Sequence, residues 1–373
     1  MANTQVIQSP AASQLREVQI ATIVPSSLTA ANIVPFPNLL RGVVHLRHWL
    51  DFSITVEVEN TNSSAGAPGG TVNPKGALAY LTNILYKTNN ISNIINASGY
   101  QLFHIGMAQG LMDYKSLSSY IASDNLFNIP STSIAASGGT ASFTANYRIP
   151  INFAGTQVLS PAGMGFSTLN EDVIKNFEID ISFGSISNLV SGLASGFNAS
   201  ITSASVTIYN EFYPGNLVGY QPSVYFELNI AANSDFQAAA NGSEIKLTYG
   251  QNQIYKRLFC FTETISSPFN EPSDNQVTNW NLIYNSTNNL MLNLDSGYAK
   301  ASYQYRYNHS LPVGMYIFDR LFTGNLMDVL NTAGFSDLKM TINNNANTNV
   351  QIVAEKLKAN VLLSKSNTAK AKS

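Results

Sequence analysis

Apolar and polar residues alternate one by one along much of this chain. In "SITVEVEN", Ile54, Val56 and Val58 share one face, and Thr55, Glu57 and Glu59 the other. In "FEIDISF", Phe177, Ile179, Ile181 and Phe183 point one way, and Glu178, Asp180 and Ser182 the other. "SVYFELNI" repeats the pattern with Val224, Phe226, Leu228 and Ile230, and "EIKLTYG", "DLKMTIN" and "NVQIVAEK" follow it. A period of two marks a strand with one buried and one wet face. Polar, turn-forming breaks such as "NTNSSAGAPGGTVNPKG", "AASGGTAS", "ISSPFNEPSDN" and "NNNANTN" separate these runs. Many strands joined by long polar loops predict an all-β sandwich or barrel rather than alternating β/α units.

Helical signals are few. "SPAASQLREVQIATIVP" offers Ser9 as an N-cap, Pro10 at the first helical position and Pro25 as a stop, which predicts an amino-terminal helix. Thr168 and Glu171 in "STLNEDVIKN" have the spacing of a capping box. "NLMDVLNTAG" predicts a brief helix closed by Gly334.

The order of segments recurs. A strand containing proline, "YRIPINF" (147–153), leads to "LNEDVIKN", then "FEIDISF", a polar loop and "ASVTIYNEF" (204–212). Later, "LPVGMYIFD" (311–319) leads to "NLMDVLNTAG", "DLKMTIN", "NNANTN" and "VQIVAEKL" (350–357). "YPGNLVGYQP" (213–222) lies between them as a Gly- and Pro-rich joint. The expected organisation is an arm or helix over 1–35, a first β-domain over 36–213, a linker over 214–222, a second β-domain over 223–357 and a lysine-rich tail over 358–373.

Composition narrows the function. Apolar residues make up 45 % of the 373, enough for a large core, while charged residues make up only 11 %. A typical soluble domain carries roughly 25 %. A surface this poor in charge is covered by Asn, Ser, Thr, Gln and Tyr, or is hidden in interfaces. A net charge of −2 gives no reason to expect a specific nucleic-acid partner. The single Cys260 excludes an internal disulfide, and its apolar neighbours in "RLFCFTE" predict a buried structural thiol. The amino terminus lacks the basic and apolar regions of a secretory leader, and no apolar run approaches the ~20 residues of a membrane span. The expectation is a chain made and folded in a cytoplasm without a tether of its own.

Catalytic chemistry finds little to stand on. Glu178 and Asp180 have the Glu-x-Asp spacing of retaining glycosidases built on a β-sandwich, which need a second carboxyl group as acid/base. Ser182 and Phe183 stand where that Glu would fall, so the two acids read as the solvated side of a strand. His45 and His48 in "HLRH" are three apart. Residues three apart on a regular strand face opposite ways, so this spacing predicts no shared metal ion. His104 and His309 belong to no motif. There is no HExxH, no GxSxG and no phosphate-binding glycine loop. No cofactor and no small-molecule substrate are expected. The sequons at Asn62, Asn96 and Asn285 read as chance in a chain rich in Asn and Ser.

The ends carry the remaining candidates. After Glu355, five lysines and no acid occur, among them Lys365, Lys370 and Lys372. This tail is either a frayed terminus or a weak contact for an anionic surface. At the other end, Leu15, Arg16 and Val18 lie in a segment that either packs on its own barrel or reaches toward a neighbour or a membrane surface.

Together these segments resemble the double jelly-roll major capsid proteins of tectivirus-type, membrane-containing icosahedral phages. The resemblance spans about residues 40 to 357 and rests on collinear stretches. "GVVHLRHWLDFSITVEVENTN" is similar to the family's first long strand. "LAYLTNILYKTNNISNIINASGYQLFHIG" resembles a strand pair in which Ser98, Gly99 and Tyr100 precede an alternating aromatic strand with Phe103. "YNEFYPGNLVGYQPSVYFELN" resembles the passage between barrels, "EIKLTYGQNQIYKRLFCFTE" the second barrel's early strands and "LPVGMYIFDR" a strand near its end. The resemblance implies two tandem eight-stranded jelly-roll β-barrels with few short helices. It also implies homotrimers with a pseudo-hexagonal outline that tile an icosahedral virion shell over an internal lipid membrane, beside minor capsid and vertex proteins. A receptor- or glycan-binding β-sandwich spike or lectin is the second reading, and a carbohydrate-active enzyme the third.

Overall fold

A computed structural model describes residues 15–109, 133–154, 165–214, 222, 224–248, 252–285, 290–307, 310–319 and 329–360. The first half supplies β1 (Arg16–Ile23), β2 (Asn32–Phe36), β3 (Val43–Asn60), β4 (Gly69–Val72), β5 (Leu81–Thr88), β6 (Ile95–Ala97), helix α1 (Gly99–Ala108), β7 (Gly139–Asn152), β8 (Phe166–Ser167), β9 (Phe177–Phe183), β10 (Val190–Leu193) and β11 (Phe197–Pro214). The second supplies β12 (Val224–Phe236), β13 (Ala240–Lys246), β14 (Ile254–Thr264), β15 (Glu271–Pro272), β16 (Val277–Tyr284), β17 (Leu290–Asp295), helix α2 (Ser296–Tyr307), β18 (Met315–Asp319), β19 (Leu330–Asn331), β20 (Leu338–Asn344) and β21 (Thr348–Ala359).

The two halves fold by one plan. In the first, one sheet runs β1-β11-β3-β7 and the facing one β2-β9-β5-β6. In the second, β12-β21-β14-β18 faces β13-β20-β16-β17. Each of the eight strands in these two sheets has a counterpart at the same place in chain order. Each helix leaves the fifth strand of its half and precedes the sixth. Two four-stranded sheets wound in this order make an eight-stranded jelly roll, and the chain holds two in tandem. The repeat legible in the sequence pairs β7 with β18, β9 with β20 and β11 with β21, and each pair is equivalent in the fold.

Each roll buries the apolar faces that alternation assigned. Phe177, Ile179, Ile181 and Phe183 of β9 are buried, and Glu178, Asp180 and Ser182 lie on the wetter side. β3 keeps the same alternation from Leu50 to Val58. A second core gathers Trp280, Met340, Ile342, Ile352 and the free Cys260 between the sheets of the second roll.

The helices fall elsewhere than expected. Arg16–Ile23 is a strand, antiparallel to β11, with Thr22 Oγ1 3.1 Å from Thr207 Oγ1. "REVQIATI" fits a period of two as well as a helical one, and pairing with the edge of β11 holds it as a strand where an isolated helix of this length is marginal. The segment expected as an arm or helix over 1–35 therefore supplies β1 and most of β2 of the first roll. "LNEDVIKN" forms one turn closed by Ile174 N–H to Asn170 O at 2.8 Å, and Thr168 turns inward to bond Val43 O at 2.9 Å. Leu330 and Asn331, expected in a helix, pair with β14, and Gly334 (φ +83°) ends a turn.

The stretch read as an aromatic strand after Ser98 is instead α1. Ser98 accepts a hydrogen bond from Gln101 N–H while the Gln101 side chain accepts from Ser98 N–H, a complete capping box. α1 lies so close to β7 that a Cβ on Gly106 would sit 2.1 Å from Pro150 Cγ, so only glycine fits there. At the matching point of the second roll, Asp295 accepts from the N–H groups of Gly297 and Tyr298 to start α2. No helix among the described residues is long and apolar enough to cross a membrane.

Burial of β9 is directly testable. Ile179→Ala is expected to lower the unfolding free energy by about 2–5 kcal/mol in a denaturant titration. Ile179→Asp places an uncompensated carboxylate in the core and is expected to leave no soluble folded protein. Wild-type stability in either variant would contradict this register.

Candidate functional site

The rolls meet along a seam that begins in the backbone. β6 pairs in parallel with β12, matching Ile95 to Leu228, so the facing sheet of the first roll continues into the second roll's sheet. Phe226 N–H donates to Phe153 O at 3.0 Å, and Asn360 Nδ2 donates to Gly165 O at 2.8 Å. Helix α1 then lies across the second roll. Gln101 Nε2 donates to Gln351 Oε1 at 2.7 Å, Gln109 Nε2 donates to Glu355 Oε1 at 2.9 Å, and the Tyr100 ring packs against Phe261. Lys75 reaches Glu263 at 2.7 Å. The Tyr303 hydroxyl of α2 donates to Ala108 O at the end of α1.

Beneath the end of α1 lies a cluster of buried charges. Arg257 Nε is 2.6 Å from Glu355 Oε2 and 3.9 Å from Asp319 Oδ2. Lys256 sits 4.0 Å from Glu355 and 4.3 Å above the Phe226 ring. Lys356 pairs with Glu227 at 3.5 Å, and Glu227 accepts from the Tyr225 hydroxyl at 2.9 Å. Three cations face three carboxylates, so the cluster is balanced. Desolvation pushes the Lys256 ammonium down to about 8, with Arg257 adding to the shift and Glu355 and Asp319 opposing it. Sequence reasoning missed this site. "IYKRLFCF" and "VAEKLK" place charges inside otherwise apolar strands, and that was the available signal.

A second buried polar group lies in the core of the first roll. His48 Nε2 is 3.2 Å from His45 Nδ1, so the two rings share a face, contrary to the spacing argument. The reason is a bulge: His45 is opposite Phe212 and Arg47 opposite Glu211, leaving Leu46 as an extra residue. Leu40 O can only accept, so His45 Nε2, 3.0 Å away, donates to it, while His45 Nδ1 lies 3.2 Å from both His48 Nε2 and Asn210 Oδ1. The Tyr86 hydroxyl lies 3.1 Å from His48 Nδ1. Both imidazoles are neutral in this arrangement, enclosed by Phe153, Phe166 and Phe177. Two histidines alone do not make a metal centre, and no cluster of three His, Cys, Asp or Glu side chains occurs among the described residues.

The other sequence candidates are dispersed. Lys87 Nζ lies 2.6 Å from Asp180 and 3.5 Å from Glu178 and so bridges the two acids on the outer side of β9. Leu15 packs beside Val44, Leu46, Ala154 and Phe226 at the seam, whereas Arg16 and Val18 are exposed on β1. Two of the five late lysines belong to β21: Lys356 is buried, and Lys358 donates to Gln253 Oε1 at 2.6 Å. Lys365, Lys370, Lys372 and His309 lie outside the described residues.

Comparison with known proteins agrees with this architecture. Residues 232–360 match the family described as viral coat protein P2 C-terminal domain. No curated protein matches the chain in sequence. Among solved structures, a chain from Sulfolobus Turreted Icosahedral Virus superposes with a TM-score of 0.60 at 15 % identity, covering 96 % of this chain and 93 % of that one. The major capsid protein P2 from Bacteriophage PM2 gives 0.55 at 11 %, covering 92 % and 97 %. The PBCV-1 virus capsid gives 0.58 at 12 %, covering 95 % and 97 %. The fold is the double jelly roll of viral major capsid proteins. Residues 232–360 thus match a coat-protein domain, and the whole chain shares the double jelly-roll fold of these capsid proteins.

The buried histidines predict an acid-labile core. Desolvation lowers His45 to about 4, and desolvation, then the neighbouring His45, lowers His48 well below 6.5; desolvation also lowers His104 to about 4. Below pH 6.5 the unfolded chain binds more protons than the folded one, so stability is full above that pH and falls toward pH 4. The slope approaches about 1.4 kcal/mol per pH unit for each such histidine. Chemical denaturation between pH 7 and 4.5 is expected to show this loss, and His48→Phe to flatten it. An unchanged slope in the variant would contradict the assignment.

Proposed function

We propose that this chain is the major capsid subunit of a virion with an internal membrane. Three copies form a capsomer of six rolls with a pseudo-hexagonal outline, and these capsomers tile an icosahedral shell. One observation supports the reading above the others: both halves repeat one strand order and are joined rigidly through β6–β12 and α1. Two near-equivalent rolls per chain give six per trimer, which suits packing among six neighbours. The low charge fits a surface buried between identical copies, where unpaired charges would be costly. In the shell, the amino-terminal segment over 1–25, with Leu15, Arg16 and Val18, and the lysine tail would face inward toward anionic lipid headgroups, and minor capsid and vertex proteins would complete the particle.

The purified protein is expected to have a mass near three times 40.4 kDa by light scattering. Electron microscopy of assembled material is expected to show capsomers with a hexagonal outline. A chain that remains monomeric at every concentration and binds glycans would overturn the proposal.

A further inference from the structure

The two rolls share more than strand order. In the second, Arg257 lies opposite Glu355, and the register slips by one residue before Tyr255 meets Lys356. In the first, Arg47 lies opposite Glu211, and the register slips by one residue before His45 meets Phe212. Arg257 sits opposite Asp319 on β18, and Arg47 opposite Asn152 on β7. Arg257 lies 5.7 Å from the Phe259 ring, and Arg47 5.0 Å from the Trp49 ring. The pairs Arg257–Glu355 and Arg47–Glu211 are one device used twice.

Their surroundings differ. The Arg257 and Glu355 side chains are 2 % and 1 % exposed, because α1 lies over them and Gln109 bonds Glu355. Arg47 and Glu211, 3.2 Å apart, are 22 % and 20 % exposed, and among the described residues no helix lies over them. Around the first pair the outer face is apolar and closed, with Leu228, Phe259 and Val353 packed into the common core. Around the second it carries Trp49 and Tyr209, with Arg148 over both rings. Trp, Tyr and Arg are the residues most often found at energetic centres of protein interfaces.

The helices show the complementary difference. Both begin Ser-Gly-Tyr, and each contacts the sixth strand of its own roll, β7 or β18. Tyr100 of α1 is 9 % exposed, because it packs on Phe261 of the following roll. Its counterpart Tyr298 is 61 % exposed, Tyr305 is 90 % exposed, and Leu290 on the adjoining edge strand β17 is also exposed. α1 has a following roll to cover, and α2 has none within its own chain.

We propose that α2 of one copy docks on the outer face of β1, β11 and β3 of a second copy, over Arg47, Glu211 and Trp49, as α1 covers Arg257 and Glu355. The partner is another copy of this chain, and the contact continues the seam already present between the rolls. The inference rests on the capsid reading for its partner and adds the surfaces. Each chain offers one helix and one open face, so the contact is heterologous, and copies join head to tail into a closed ring. By the equivalence of Phe261 with Asp51, Tyr298 comes to rest beside Asp51 and its neighbour on the same face, Ser53.

Cross-linking tests the placement. Chains carrying Tyr298→Cys and Ser53→Cys are made separately, mixed under assembly conditions and treated with a short bis-maleimide. The native Cys260 is buried and silent. The mixture is expected to yield covalent dimers, and each variant alone none. In a second arm, Tyr298→Ala with Tyr305→Ala alters only exposed side chains. It is expected to raise the midpoint concentration of self-association at least about tenfold while far-ultraviolet dichroism stays unchanged. Wild-type oligomers that form normally with no cross-link and no shift in the double variant would overturn the docking and leave the capsid reading standing. A wild-type chain that never leaves the monomer would overturn both.

Discussion

The Arg257–Glu355 pair, buried under the end of α1 and bonded by Gln109, governs how the rest of this molecule is arranged. A buried ion pair is a poor source of net stability, because desolvation of both ions opposes their attraction. Removing one partner is another matter, since it strands a charge in the interior. Two rolls joined only by apolar contacts could slide or rotate at modest cost. Arg257, Glu355, Lys256 and Asp319 all belong to the second roll, so a shift of the seam would leave them paired with one another but would break the Gln109–Glu355 bond and uncover the charges beneath the end of α1. Specific seating is therefore the role we assign to this cluster, and the apolar contacts of Phe259, Phe261 and Val353 with α1 supply the adhesion.

Seating would matter in the capsid role proposed above, because a shell subunit must hold two rolls in one fixed relation if errors are not to accumulate around a ring or across a shell. The first roll contributes to this through its interior as well as its seam. Tyr86, His48, His45 and Asn210 form a hydrogen-bonded group ending on Leu40 O, which gives the imidazoles of a bulged strand polar partners inside an aromatic core. The same group ties the stability of that roll to neutral imidazoles.

Much of this was legible in the sequence, for reasons that also explain what was not. The strands β3, β9, β20 and β21 each bury one face, so alternation reports them directly. The repeat of β7, β9 and β11 as β18, β20 and β21 was visible as a repeated order of segments. Helix α1 was not visible by period, because it is packed between β7 and the second roll and is buried on nearly every side. Its cap, Ser98 with Gln101, and the second Ser-Gly-Tyr at 296–298 were the signals available. β1 was misread because eight residues of mixed polarity satisfy both periods, and tertiary pairing with β11 decided between them. The histidine pair was misread because spacing rules assume a regular strand, and the bulge at Leu46 breaks that assumption.

The glycosidase-like Glu178 and Asp180 show how a spacing can mislead. Their separation is that of any two residues on one face of a strand, and Lys87 holds both. The proposed function lies instead in duplicated surfaces, one covered within the chain and one partly exposed, and a motif search does not detect such a relation.

The most direct measurement of the central claim is a density map of the assembled capsomer. If one seam geometry serves both within and between chains, superposing the first roll on the second brings the intrachain contact of α1 onto the interchain contact of α2. Arg47 and Glu211 are then buried as Arg257 and Glu355 are. A map in which the neighbouring copy leaves the outer face of β11 and β3 open to solvent would contradict the account.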